Sequence, residues 1–280
     1  MLERTAGWAR LEPVSEPPEP TISTVPLFHR DFGGAGDPPF VILHGMLGSS
    51  RNWRTAGRDL AEGRRVFALD LRNHGMSPHA GEMPYAAMAA DVVAWLDARS
   101  IAVADLIGHS MGGKVAMLLA CRHAERVRRL VAVDIAPKAY SWPERRAEFG
   151  AMNELDLAGL KSRAEAESRL ESRVPSRAMR KFIVTNLERA PGAGWRWQVN
   201  LPAITAALPE LERNPLGQAD HFDGPSLFIS GARSAFVQPG DIGAIHSHFP
   251  MARFTTLADA GHNPHIEERQ EFVRAIASAG

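Results

Sequence analysis

Gly108-His109-Ser110-Met111-Gly112 constrains this chain more than any other stretch. The run Asp105-Leu106-Ile107 leads into it as a buried strand. Apolar residues at helical spacing (Val115, Leu118, Leu119) lead out of it over Met111 to His123. A strand that becomes a helix within so few residues must turn sharply. Glycines on both sides of Ser110 let backbone segments approach where a Cβ would clash. Such a turn lifts the Ser110 hydroxyl above the carboxyl ends of the strands. It also sets it at a helix N-terminus, where free N–H groups and the dipole favour a developing negative charge. G-x-S-x-G between a strand and a helix is the pattern of an exposed nucleophile.

The flanking sequence supplies a sheet for that turn to stand on. Phe40–Leu43, Arg65–Leu69, Val103–Ile107, Arg129–Val133, Ser226–Ile229 and Arg253–Leu257 are short, nearly continuous apolar runs. Strands covered on both faces of a parallel sheet read this way. Val25–Phe32 suits an antiparallel edge strand. Helical patterns at Tyr85–Arg99, Met111–His123 and Pro264–Ala279 fall between the runs, which predicts a mostly parallel sheet wrapped by helices. Residues 138–219 break the rhythm. They are rich in Arg, Glu and Ala, hold no convincing strand, and show helical patches at Pro143–Leu155, Ala158–Leu170 and Pro175–Leu187. The expected organisation is a core over residues 21–137 and 220–280, a helical insertion over 138–219, and a disordered tail over 1–20. In that tail Pro13, Pro17, Pro18 and Pro20 alternate with Glu12, Glu16 and Glu19, too little apolar surface to offset ordering entropy.

Composition excludes several functions. Thirty-two basic and 32 acidic side chains cancel, leaving no excess to grip a phosphate backbone, so no nucleic-acid partner is expected. No run approaches the roughly 18 apolar residues of a membrane span. The lone Cys121, read as a small buried apolar residue, rules out an intrachain disulfide or a cysteine-rich zinc site. The tail lacks the basic and apolar regions of a secretory signal and is too acidic for a transit peptide, which points by default to the cytoplasm.

A serine hydroxyl needs a base. Of 11 histidines, His262 lies in Ala260-Gly261-His262-Asn263-Pro264, between the last strand and the last helix, where the loop returns to the carboxyl edge of the sheet. His265 is its rival, placed within the first helical turn. A carboxylate is often found after the strand that here ends Ile229-Ser230-Gly231-Ala232-Arg233-Ser234-Ala235-Phe236, yet none follows until Asp241. The run Val131-Ala132-Val133 instead delivers Asp134 beside the nucleophile's strand, where it can hold the His262 Nδ1–H. The competing reading of Asp134 is a turn cap. After the first buried run, His44-Gly45-Met46-Leu47-Gly48-Ser49 can aim the Met46 N–H at a carbonyl oxygen, opposite the N–H of Met111. Arg72 and His74, in Asp70-Leu71-Arg72-Asn73-His74, read as loop braces. Lys114 reads either as a contact for an anionic substrate group or as a solvated or salt-bridged helix residue.

These segments together resemble the α/β-hydrolase superfamily from about residue 25 to 280. More narrowly, HGMLGSSRNW, DLRNHGMSPH, IGHSMGGKVAM, VAVDIAP and WRWQVNL resemble a family of small serine esterases that includes bacterial acyl-ester and acyl-CoA thioesterases and mitochondrial relatives. The resemblance implies an α/β-hydrolase fold with a helical cap. It assigns nucleophile, acid and base to Ser110, Asp134 and His262, and it implies no metal and no cofactor. It also implies an apolar acyl pocket, for which Met46, Leu47, Met111, Phe182, Trp195, Trp197 and Leu201 are the candidate lining. The expected partner is a small acyl ester or thioester. Two other readings stand beside it: a lyase of the menaquinone-pathway type, which shares the elbow, and a ligand receptor that keeps the three residues as a vestige.

Overall fold

A computed structural model of the chain describes residues 23–190, 192 and 194–278. The tail expected over residues 1–20 lies outside them. In chain order the strands are β1 (His29–Gly33), β2 (Phe40–Leu43), β3 (Val66–Leu69), β4 (Ala104–His109), β5 (Val127–Val133), β6 (Leu187–Arg189), β7 (Trp195–Trp197), β8 (Ser226–Gly231) and β9 (Ala252–Leu257). The helices are α1 (Arg54–Ala61), α2 (Tyr85–Asp97), α3 (Met111–Arg122), α4 (Pro143–Glu154), α5 (Arg163–Arg169), α6 (Arg177–Val184), α7 (Leu201–Glu212), α8 (Ile242–His248), α9 (Pro264–Glu267) and α10 (Arg269–Ser278). None is long and apolar enough to cross a membrane.

Seven strands form one sheet in the order β1-β3-β2-β4-β5-β8-β9, parallel except for β1. Every residue of β2 and β4 is buried, which is why β2 reads as an unbroken apolar run and β4 as one interrupted only by Asp105 before its polar end at His109. From β2 the chain steps outward to β3 and then returns across β2 to β4. The strand order therefore reverses between β2 and β4, where loops part and a crevice opens. Register sets what meets there. Leu43 pairs with Gly108, so β2 and β4 end side by side. Val133 pairs with His109 and with Ile229, so the residue after β5 emerges next to Ser110.

The loop after β2 is held by two buried histidines. The Leu71 N–H donates to His44 Nε2 (3.0 Å), and the Leu47 N–H donates to His74 Nε2 (3.1 Å). Each ring's Nδ1–H donates in turn to a carbonyl, of Gly45 and Arg72 respectively, so both imidazoles work as neutral brackets. Burial pulls His74 down to about 3 and lowers His44 as well. Arg72 makes a bidentate pair with Asp91 (2.6 and 2.7 Å) and reaches the carbonyls of Ser23 and Ala87.

The insertion between β5 and β8 carries α4 to α7, and it also carries strands. Leu187–Arg189 and Trp195–Trp197 form an antiparallel pair, against the expectation of none. Three residues are too few for alternation to show in a sequence. The turn is made by Gly192 and Gly194 at φ 89° and 133°. Helix α7 was unexpected too, because Pro202 and Pro209 break the pattern; Pro202 sits in the first turn, where no N–H is missed. The stretch expected as one helix from Pro264 is split at Glu268, and the patch at Ala158–Leu170 is helical only over Arg163–Arg169, capped by Ser162.

Lys114 fits neither of its sequence readings. Its side chain is fully buried. Nζ donates to the carbonyls of Leu211, Glu212 and Arg213 (3.2, 3.4 and 2.5 Å) at the C-terminal end of α7, where Leu211 also accepts from the Tyr85 hydroxyl and Glu212 from the Tyr140 N–H. The rings of Tyr85, Tyr140 and Trp142 surround it at 4.9 to 5.5 Å. Helix ends leave their last carbonyls unmatched and carry partial negative charge, so an ammonium is the fitting plug. Burial draws Lys114 down to about 7, with Glu210 and Glu212 pulling the other way.

Two outcomes follow from these contacts. Lys114→Met leaves the Arg213 carbonyl without a donor among the described residues, while Leu211 and Glu212 keep theirs, costing about 1–3 kcal/mol. That is a fall of roughly 2–5 °C in Tm for a chain of this size, read by thermal denaturation. An unchanged Tm would mean that the plug holds nothing. Second, an unfolded chain binds protons on His44 and His74 below their ordinary pKa of 6.5, while the folded chain keeps them off. Stability is therefore complete above pH 6.5 and declines as the pH falls toward 3, read as a dropping urea midpoint. His74→Gln, whose amide oxygen still accepts from Leu47, flattens that decline.

Candidate active site

Ser110 stands between β4 and α3 at φ 52° and ψ −117°, a left-handed conformation costly for any residue with a Cβ. The neighbouring glycines make it possible. A Cβ on Gly108 would lie 2.4 Å from the Gly112 carbonyl oxygen, and one on Gly112 would lie 2.4 Å from that of Leu43. Nothing larger than hydrogen fits at either place. The turn is pinned by the Ser110 N–H donating to the Val133 carbonyl (3.0 Å).

Ser110, His262 and Asp134 meet at the crevice. Ser110 Oγ lies 3.1 Å from His262 Nε2, and His262 Nδ1 lies 2.7 Å from Asp134 Oδ2. Asp134 is fully buried, also at positive φ (50°), and its own N–H donates to the Ile229 carbonyl. Its carboxylate accepts from the Gly231 N–H at Oδ1 and from the Ser234 hydroxyl at Oδ2, alongside His262. A carboxylate with three donors is a fixed anion. It orients the imidazole so that Nδ1 carries the proton and Nε2 faces the hydroxyl. Asp241 is committed elsewhere, bonding Lys138 Nζ at 2.6 Å.

His109 was not foreseen as part of the arrangement. It is buried, and its Nε2–H donates to the His262 carbonyl at 2.7 Å. Burial, with His262 and His265 close by, holds its pKa well below the usual range. The rival His265 is buried with its ring flat on Trp53 (centroids 4.0 Å, planes 12° apart), and burial drops it to about 3. Phe236 was missed too. It lies flat on His262, with centroids 3.8 Å apart and planes 20° apart. The signal was at hand in Ser234-Ala235-Phe236, a segment noted only for lacking a carboxylate.

Above Ser110 lies a cavity of about 480 Å³. Met46, Leu47, Trp142, Met179, Phe182 and Phe236 give it an apolar wall, and Arg145, Ser176, Asn263 and Glu267 add polar points. Among the described residues, the N–H groups of Met46 and Met111 donate to no protein acceptor. Of the candidate lining, Met46, Leu47 and Phe182 border this space. Met111, Trp195, Trp197 and Leu201 do not. The Met111 and Leu201 side chains are buried in the main hydrophobic cluster. Trp195 and Trp197 share one face of β7 and pack on that cluster, and Trp197 and Leu201 border a separate hollow beside Met152 and His79. Cys121 is half-buried, and burial pushes its thiol up to about 12.

The comparisons agree with this architecture. The alpha/beta hydrolase fold family matches residues 38–269. The chain is 38% identical over 256 residues to the sn-1-specific diacylglycerol lipase ABHD11 of Xenopus tropicalis, covering 88% of this chain and 79% of the relative. It is 34% identical over 241 residues to esterase YbfF of Escherichia coli (strain K12), covering 85% of this chain and 91% of that protein. Among solved structures, a marine microorganism esterase superposes with a TM-score of 0.88 at 31% identity, over 92% of this chain and 100% of that one. With the strand order, the elbow and relatives this similar over most of its length, the chain belongs to the alpha/beta hydrolase family.

Proposed function

We propose that the protein is a serine hydrolase that cleaves carboxylic esters or thioesters of short-to-medium acyl chains through an acyl-serine intermediate. The observation that carries the reading is the unbroken hydrogen-bonded relay from Ser110 through His262 to Asp134, opening into an apolar cavity. Relatives named as esterases and as a diacylglycerol lipase support ester substrates.

Ser110 Oγ attacks the acyl carbonyl carbon while His262 Nε2 takes its proton. Asp134 stabilises the resulting imidazolium and stays ionised. The carbonyl oxygen becomes an oxyanion and lodges against the free N–H groups of Met46 and Met111, each worth about 3 kcal/mol at the transition state. The tetrahedral centre collapses, and the leaving oxygen or sulfur takes the proton from His262. Water then enters, gives its proton to His262 and attacks the acyl-enzyme. The acid leaves, and the proton returns to Ser110. In this reading residues 138–219 act as a cap, and Trp142, Met179 and Phe182 are the part of it that holds the acyl chain. Trp195, Trp197 and Leu201 have no place in that contact.

Ser110→Ala is expected to lower kcat for p-nitrophenyl esters by roughly 10⁵–10⁶ while keeping the wild-type far-UV spectrum and Tm. Retained turnover would remove Ser110 as nucleophile. Asp134→Asn is expected to lower kcat by ~10³–10⁴, because the amide cannot stabilise the imidazolium. Asp241→Asn should leave kcat near wild type; the reverse order of effects would move the acid to Asp241.

A further inference from the structure

We propose that Phe236 is a positioning residue for the base: its ring lies flat on the His262 imidazole and stabilises the imidazolium that forms as Ser110 loses its proton. The inference rests on the hydrolase reading for its catalytic consequence, though not for the effect on His262 itself. A ring centroid 3.8 Å away and nearly parallel presents its negative face to the imidazole. That face attracts a cation and favours the protonated state.

The ring is held in place from behind. Tyr140 packs on it (5.5 Å), and the Tyr140 hydroxyl donates to the Phe236 carbonyl at 2.8 Å. The Phe236 N–H donates to Ser234 Oγ, the same hydroxyl that donates to Asp134. One short segment after β8 thus touches both partners of the relay. It bears no carboxylate, and it supports acid and base through a hydroxyl and an aromatic face.

Other titratable and charged groups face His262. Asp134 is the anion at Nδ1. The His109 ring from β4 lies 4.8 Å from the His262 ring, the His265 ring from α9 lies 4.8 Å from that of His109, and burial keeps both neutral. Glu267 accepts the N–H groups of Gly261 and Asn263 on either side. Arg145, across the cavity, is paired with Glu148, and Lys138 behind Tyr140 is paired with Asp241. None of these changes when Phe236 is replaced by another apolar residue.

The test compares wild type, Phe236→Leu and Phe236→Tyr. The His262 imidazole is followed by NMR titration, its resonance assigned by loss in His262→Gln, and kcat and KM for p-nitrophenyl acetate are measured across pH. In Phe236→Leu the His262 pKa is expected to fall by about 0.5–1.5 units. The acid limb of kcat/KM shifts with it, and kcat drops about 3- to 30-fold, more than KM moves. Phe236→Tyr, which keeps an aromatic face, restores both. A His262 titration unchanged in Phe236→Leu overturns the proposal, whatever the activity. A wild type that turns over no ester, with the pKa shift present, overturns the hydrolase reading and leaves the stacking effect standing.

Discussion

The backbone at Ser110 is the constraint on which the top of this molecule depends. Holding a non-glycine residue at φ 52° is unfavourable by itself, of order 1–3 kcal/mol. It persists because β4, β2 and α3 press together through glycines that admit no Cβ, and because β5 takes the Ser110 N–H. The strain raises the hydroxyl out of the sheet. A relaxed turn would leave it among the strand ends, out of reach of a ring on another loop. Parallel register then supplies the partners, since β5 ends beside β4 and delivers Asp134 where the imidazole must be held.

Much of this was legible in the sequence because it depends on local pattern and chain order. The elbow announces itself in five residues and their flanks. The sheet shows in its apolar runs, since strands buried on both faces have no solvent side to alternate with. Asp134 emerged by elimination from the segment after β8, and His262 from its place between the last strand and helix. What stayed hidden depends on residues far apart in the chain. Trp195 and Trp197 looked like pocket aromatics, yet a three-residue hairpin turns them onto the main cluster. Lys114 looked solvated because the carbonyls it meets come from α7, a helix that its prolines conceal.

The site is supported by neutral polar groups more than by charge. His44, His74 and His109 are kept unprotonated by burial; the first two bracket the backbone with one donor and one acceptor each, and His109 donates to the His262 carbonyl. This suits the proposed reaction, in which a positive charge forms on the His262 imidazole and nowhere else. A cation on His44 or His74 would break the backbone hydrogen bond that its Nε2 accepts, and one on His109 would compete for the field of Asp134.

Lys114 gives the insertion a fixed reference point. Its amine leaves α3 one turn after Ser110, and a helical turn is a rigid spacer of about 5.4 Å. The roof of the cavity is thereby gauged against Ser110 itself, independent of the loops joining it to the sheet. Roofs exchanged between related chains would keep their height above the serine only if they finish in a helix whose terminal carbonyls meet that amine. Those ending otherwise would have to find a new anchor.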